Sequence, residues 1–332
     1  MKIAVVGIGV AGAYLLNRLS KEHEVIGFER MREEEHDSIC AWATTIAGMR
    51  GLIDKTGLNF DDYILHKGVK MDIVANNSFS LRLKGLCTYD KIGLIKDLIK
   101  GCKINYGIMP SNDIKDEFDL VIDATGFNRT FLPKPKNELW IPTIQYKVKY
   151  DKMPFDDFML KPFPSMSGYF WYFPLNDNYA HIGAGDKNRK HKEIVDQFIA
   201  KYGGRIVKKV GRPVRLTPPA LCEPFIDDNV VGVGESIGTV YALLGEGIIP
   251  STTCADLLIN NIDNLERYRY LVHEKFRIYY DVFRFVKSKI TNEFSLIKYL
   301  PILLKIYLYM KKNEDRFGME INISKLFSIS RL

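Results

Sequence analysis

The residues of this chain best suited to chemistry sit in glycine- and acid-bearing segments near its start, its middle and its last third. Gly7-Ile-Gly9-Val-Ala-Gly12 follows an apolar run over residues 2–6 and precedes a helical stretch over residues 13–19. In that spacing Gly7 permits a tight turn and Gly9 lets the backbone approach a pyrophosphate. Gly12 lets the helix press on the strand while the helix-end amides face the anion. Glu29 closes a second apolar strand over residues 24–28, where an acid accepts hydrogen bonds from an adenosine ribose. Strand, helix, strand and terminal acid agree on a dinucleotide site.

The run over residues 118–126 ends in Ala124-Thr125-Gly126, a buried strand whose small residues let the chain turn beneath a cofactor. A third run, over residues 229–238, brings Gly234, Glu235 and Gly238 just before an expected helix. A carboxylate there can hold a ribityl hydroxyl while a helix N-terminus faces the second phosphate, an arrangement that suits FAD and that an NAD site does not need. Each apolar run alone reads equally as an ordinary central strand. Their order along the chain points to flavin.

Tyr169-Phe-Trp171-Tyr-Phe173-Pro174 is followed, after eight residues, by Gly183-Ala-Gly185. Alternation puts Tyr169, Trp171 and Phe173 on one strand face as an aromatic wall. Together with the flavin-type segments, this pattern resembles the FAD-containing geranylgeranyl reductase family, within the group that includes aromatic hydroxylases and flavin-dependent halogenases. The resemblance runs from residue 1 to about residue 285.

The resemblance implies an α/β fold, a Rossmann-like FAD-binding domain interwoven with an antiparallel-sheet substrate domain, and a helical C-terminus. It implies cofactor contacts from Gly7, Gly9, Ala11, Gly12, Glu29, Arg30, Lys91, Ala124, Thr125, Gly126, Gly234, Glu235, Gly238, Gly245, Gly247 and Ile248. Gly245 and Gly247 lie in Leu244-Gly-Glu-Gly-Ile248, whose amides approach the pyrimidine edge of the flavin. The implied pocket is Tyr169, Trp171, Phe173, Pro174, Gly183 and Gly185, with Cys40, Tyr169 and Trp171 at the chemistry. The implied activity is reduction of isoprenoid double bonds, geranylgeranyl or polyprenyl. Hydride comes from reduced flavin N5, and a proton from Cys40 or from a water near Tyr169. Cys40, in Ser38-Ile-Cys40-Ala-Trp42, reads equally as a buried structural thiol. A flavin monooxygenase or halogenase, and a non-catalytic prenyl-lipid binding protein, are the competing readings.

Three positions depart from the family. Glu235 stands where aspartate is common, Ala41 where a glycine often follows the cysteine, and Lys91 where an arginine contacts the cofactor. Lysine supplies charge without the bidentate fork.

The elements that must position these groups come from 332 residues of 46% hydrophobic content, enough for two domains. The expected flavin domain is residues 1–67, 87–127 and 220–265, the substrate domain 68–86 and 128–219, and the C-terminal helical region 266–332. Within these, residues 68–86 read as a hairpin turning near Asn76-Asn77. Residues 90–100, 192–201 and 254–290 read as helical. The five cysteines form neither a metal pattern nor a disulfide framework, and the opening strand leaves no room for a signal peptide, so a cytoplasmic setting is expected. The six histidines have no metal spacing, and His181 reads as a packed residue.

Residues 294–312 follow helical spacing through Leu296, Ile297, Leu300, Leu303, Leu304, Tyr307 and Leu308, with lysines among them. They are too short and too charged to span a bilayer, so the helix either packs on the body or lies in a membrane interface. No basic helix with interleaved aromatics points to nucleic acid. The formal charge of +7 instead suits an acidic electron carrier such as a ferredoxin, with a nicotinamide donor as the other reductant.

Overall fold

The structure, a computed structural model, describes residues 1–37, 40–75 and 78–325. The chain runs through β1 (Lys2–Val6), α1 (Val10–Leu19), β2 (Glu24–Glu29), β3 (Ala43–Thr45), α2 (Ile46–Ile53) and β4 (Ile64–Lys67). It continues through β5 (Lys70–Ile73), β6 (Phe79–Arg82), β7 (Leu86–Tyr89), α3 (Lys91–Leu98), β8 (Lys103–Tyr106), α4 (Ile114–Glu117) and β9 (Leu120–Asp123). Next come β10 (Trp140–Lys149), β11 (Phe158–Pro162), β12 (Gly168–Pro174), β13 (Tyr179–Asp186), α5 (His191–Tyr202) and β14 (Arg205–Arg215). The last elements are β15 (Ile226–Asp227), β16 (Val230–Gly232), α6 (Ile248–Ile259), α7 (Leu265–Lys275), α8 (Arg277–Ile290), α9 (Leu296–Lys312) and α10 (Glu314–Phe317).

Three sheets organise them. The first has the order β15-β16-β9-β1-β2-β8, parallel except at the β15–β16 edge. Its central strands are apolar and buried; α1 packs on β1 and β2, with α3 and α6 packed against α1. The second has the order β14-β10-β13-β12-β11-β5-β6 and carries the aromatic strand. It is not purely antiparallel as expected, because β11 pairs with β5 in parallel, Phe158 opposite Met71. A small sheet, β3-β7-β4, lies beside them.

The period of two on β12 decides which residues meet the site. Phe170 and Tyr172 face α5 and form a separate core with Tyr146, Ile182, Val195 and Phe198. Tyr169, Trp171 and Phe173 face the other way, against the main core.

Three helix boundaries correct the sequence reading. The first helix starts at Val10, directly after Gly9. No α-helix follows Gly238 at once: residues 234–237 form a 3-10 turn and the helix begins at Ile248, because Gly238 takes a left-handed φ of 81° that ends the turn. The stretch 254–290 is three helices, α6, α7 and α8, broken at residues 260–264 and at Phe276. The hairpin of β5 and β6 is present, and its expected turn at Asn76-Asn77 lies outside the described residues.

The glycines of the first turn are held by contacts of unequal severity. Gly7 has φ +93°, and a Cβ there would meet the Ala124 carbonyl oxygen at 2.6 Å. A Cβ on Gly12 would sit 2.0 Å from the Gly7 oxygen, whereas one on Gly9 would meet nothing within 4 Å. Gly7→Ala and Gly12→Ala are therefore expected to lower unfolding free energy by about 2–4 kcal/mol each, and Gly9→Ala by less than about 1 kcal/mol. Guanidinium midpoints of the three variants check this; a Gly12→Ala midpoint equal to that of the unsubstituted chain contradicts the geometry.

Candidate functional site

The first turn is tied to the second strand by Glu29. Its carboxylate accepts from the amide of Ile8 at 2.9 Å and from that of Met31 at 3.1 Å. Both oxygens keep capacity for further donors. Ala11 and its helix-end neighbours open α1, where the first amides have no intrahelical acceptor. The open space beside Gly9 lies next to that end, so an anionic group fits between turn and helix. Arg30 is exposed.

The middle segment is organised by Asp123, which the sequence reading did not single out. Its fully buried carboxylate accepts from the Thr125 amide (3.0 Å), the Thr125 hydroxyl (2.6 Å) and the Phe131 amide (2.9 Å). These bonds shape the turn through Ala124, Thr125 and Gly126, and Ala124 donates its amide to Val6.

At the third segment Glu235 is committed to protein partners. It accepts from Arg212 Nη2 at 2.7 Å and from the Arg215 amide at 2.9 Å. The expected free acid for a ribityl hydroxyl is thus one half of an ion pair, and Arg212, its missed partner, faces the cleft. Nothing local marks Arg212 among the many cations of β14. Gly234 and Gly238 are required by packing: a Cβ on Gly234 would meet Ser251 of α6 at 3.0 Å, and one on Gly238 the Thr217 oxygen at 2.2 Å.

A cavity of about 310 Å³ lies against the aromatic strand. Cys40, Tyr169, Trp171, Phe173, Gly185, Gly245, Gly247 and Ile248 line it. Pro174 and Gly183 stand behind it: the Pro174 carbonyl accepts from Thr88 at 2.6 Å, and Gly183 lies under the Trp171 indole, which comes 2.3 Å from where a Cβ would be. Most of the wall is apolar. Four buried polar atoms on it have no partner among the described residues: Thr44 Oγ1, Gln145 Oε1, Trp171 Nε1 and Glu246 Oε1. Orphans of both donor and acceptor type converging on one cavity call for a ligand with a polar edge.

Tyr169 has a second task. Its hydroxyl donates to the Leu244 carbonyl, so the aromatic strand pins the Leu244–Ile248 turn, and burial pushes the phenol above its ordinary value. The far side of that turn is held by Arg316, which binds Glu246 and contacts Tyr279 at 3.3 Å. Burial alone lowers the Arg316 guanidinium; Glu246 and the phenols of Tyr279 and Tyr309 outweigh it and hold it above the usual arginine value.

Cys40 is half-buried, and its carbonyl accepts from Gln145 at 2.8 Å. Ser38 and Ile39 lie outside the described residues. Lys91 opens α3 and is buried. Burial pulls Lys91 below the ordinary lysine value and Arg212 adds to this, while Cys40 works against it. The expected cofactor-contacting cation thus lies buried within electrostatic reach of both Cys40 and Arg212. The next residues are held by His181, whose Nδ1–H donates to the Ala41 carbonyl at 3.2 Å while its ring meets Trp42 edge-on at 4.7 Å. Among the described residues no cluster of His, Cys, Asp and Glu could hold a metal ion.

The fold recurs in solved structures. A geranylgeranyl bacteriochlorophyll reductase-like protein of Thermoplasma acidophilum superposes with a TM-score of 0.69 at 15% identity, over 94% of this chain and 98% of that one. A probable FAD-dependent monooxygenase of Pseudomonas aeruginosa gives 0.65 at 14%, over 91% and 99%. A flavin-dependent halogenase gives 0.66 at 15%, over 99% and 76%. In sequence, an uncharacterized protein of Methanocaldococcus jannaschii is 24% identical over 307 residues, 78% of this chain and 82% of that protein. No protein-family model matches the chain. The fold is that of FAD-dependent oxidoreductases, and the resemblance read from the residues holds at that level.

His181 yields a pH test of the loop it supports. Burial pushes its imidazole down to about 4, so it is neutral in the folded chain and protonates below about 6.5 when unfolded. The unfolded chain binds the extra proton between these values, so stability rises with pH across that window and is flat above it. His181→Phe is expected to remove about 3 kcal/mol of this rise. Urea midpoints at several values between pH 4 and 7.5 measure it; an unchanged slope would place the titration elsewhere.

Proposed function

We propose that this protein is an FAD-dependent reductase of isoprenoid carbon–carbon double bonds, of the geranylgeranyl or polyprenyl class. The observation that carries the reading is one cavity lined by an apolar aromatic wall, by Cys40 and by four side chains that each carry an unpartnered polar atom. The flavin-dependent fold supports the oxidoreductase chemistry, and the residues present fit the cofactor. The α1 end, the space at Gly9 and the Glu29 carboxylate would hold the adenosine diphosphate half. The Thr125–Gly126 turn and the Leu244–Ile248 turn would flank the rest.

Bound and reduced, FAD supplies the hydride. The chain's own residues do the remainder. Tyr169, Trp171 and Phe173 orient a flat hydrocarbon and exclude water, which matters because an unactivated alkene offers little charge to grip. Cys40 donates the proton to the second alkene carbon, and Lys91 positions the thiol and returns a proton to its sulfur. Two electrons enter from an external carrier of ferredoxin or nicotinamide type. The net charge of +7 favours an acidic protein by steering.

The purified protein is expected to be yellow, with a flavin spectrum. Prereduced and mixed with prenyl lipids, it should add two hydrogens per double bond by mass spectrometry. Oxygen-dependent hydroxylation or halide incorporation, with no such gain, overturns the reading. Cys40→Ala should lower turnover by about 10²–10⁴-fold with the flavin spectrum intact. Lys91→Gln should shift the pH profile of turnover at unchanged flavin content, and an unmoved profile removes Lys91 from the proton path.

A further inference from the structure

Helix α9 is apolar on both sides. Tyr299, Ile302, Leu303, Ile306 and Met310 are buried against the body. The opposite face carries Ile297, Leu300, Leu304 and Leu308, at spacings of three and four residues, which form one stripe along the helix. Ile297 is 90% exposed and Leu308 63%. A surface helix of a soluble body ordinarily turns polar residues to that side, so a continuous exposed stripe marks an interaction site.

Charge identifies the occupant. α9 contains four lysines and no acid. Across residues 277–312 eight lysines and arginines face two acids, Asp281 and Glu293, so this segment holds nearly all of the chain's formal charge of +7. By helical spacing Lys298 and Lys305 flank the stripe on one side, Lys311 and Lys312 extend from its C-terminal end, and Arg284 and Lys287 of α8 are exposed close by. Asp281 answers Lys305 at 3.7 Å and Arg284 at 4.0 Å, and Glu314 answers Lys311; Lys298, Lys312 and Lys287 have no ion-pair partner among the described residues. No helix among the described residues is long and apolar enough to cross a membrane.

We propose that the outer face of α9 lies on an anionic lipid surface, with Ile297, Leu300, Leu304 and Leu308 set among the acyl chains and the lysines among the headgroups. The same two helices separate that surface from the cavity, because Val286 and Ile290 of α8 and Met310 of α9 line it. Resting on the prenyl-reductase reading, this makes the α8–α9 pair the wall past which a lipid-borne chain reaches Trp171.

Sedimentation of the full chain with vesicles of phosphatidylglycerol and phosphatidylcholine, against vesicles of phosphatidylcholine alone, tests the docking. The chain should pellet with the anionic vesicles and be released by high salt. The triple variant Ile297→Glu, Leu304→Glu, Leu308→Glu alters only exposed positions and should keep its thermal midpoint while partitioning at least about tenfold less. Lys298→Gln with Lys312→Gln should weaken binding to anionic vesicles only. A full chain that stays in the supernatant overturns the proposal. So does a dimer in sedimentation velocity that the triple variant converts to monomer, which would assign the stripe to a second copy. Vesicle binding without prenyl reduction would sink the activity and leave the docking standing.

Discussion

Two buried guanidinium groups hold the middle and last segments of the site in register with the end of β14. Arg215 is fully buried; it pairs with Glu138 and donates to the carbonyls of Glu235 (2.6 Å) and Phe127 (2.7 Å). Arg129, also fully buried, donates to Ser236 (2.6 Å), Cys222 (2.8 Å) and Pro133 (2.6 Å), and binds Pro224. Burial of a guanidinium is tolerable only where its donors are answered. The answer comes mostly from backbone carbonyls, which cannot swing away as side chains can. The turn after β9, the end of β14 and the turn after β16 are therefore fixed to one another, and the two large sheets meet at a set angle. Loss of either arginine would leave several buried carbonyls unpaired, at about 1–3 kcal/mol each.

On that frame the cavity is closed by reciprocal holds. β12 pins the Leu244–Ile248 turn through Tyr169, and the chain beyond α9 pins its other side through Arg316. That late segment is anchored in turn to the hairpin region, where Lys84 donates its amide to the Gly318 carbonyl at 2.7 Å and Glu320 donates to Arg82 at 2.9 Å. The last helices are consequently part of the pocket wall. Movement of residues 314–321 would be felt at Glu246, whose second oxygen is buried without a partner among the described residues.

What the sequence discloses follows from the range of each interaction. The Gly7–Gly12 turn and the β12 alternation are local geometry, set by φ and by the period of two, and both are legible before any fold is known. Glu235 was legible as an acid at a strand end, but not as the partner of Arg212, because that pairing depends on how two sheets meet. Lys91 was visible as a cation where an arginine is common, and its place within electrostatic reach of Cys40 depends on α3 packing beside a loop about fifty residues earlier. Asp123, Arg129 and Arg215 carry no motif. Asp123 shapes its own turn, while the two arginines act mostly on backbone carbonyls far away in the chain, a pairing that exists only in the folded molecule.

The division between polar and apolar parts of the cavity also limits what can happen inside it. Trp171 Nε1 and one oxygen each of Gln145 and Glu246 are buried without a partner among the described residues, although their side chains belong to the lining. The stretch of wall formed by Met71, Ile73, Leu160 and Phe173 offers a ligand only contact area. A hydrocarbon satisfies that wall fully. A substrate with hydroxyl or carboxyl groups along its length would bury them unpaired, at about 1–3 kcal/mol per group. The apolar stretch of the wall therefore disfavours polar chains, and the charged side chains Arg212, Glu246 and Arg316 of the lining are already tied to protein partners.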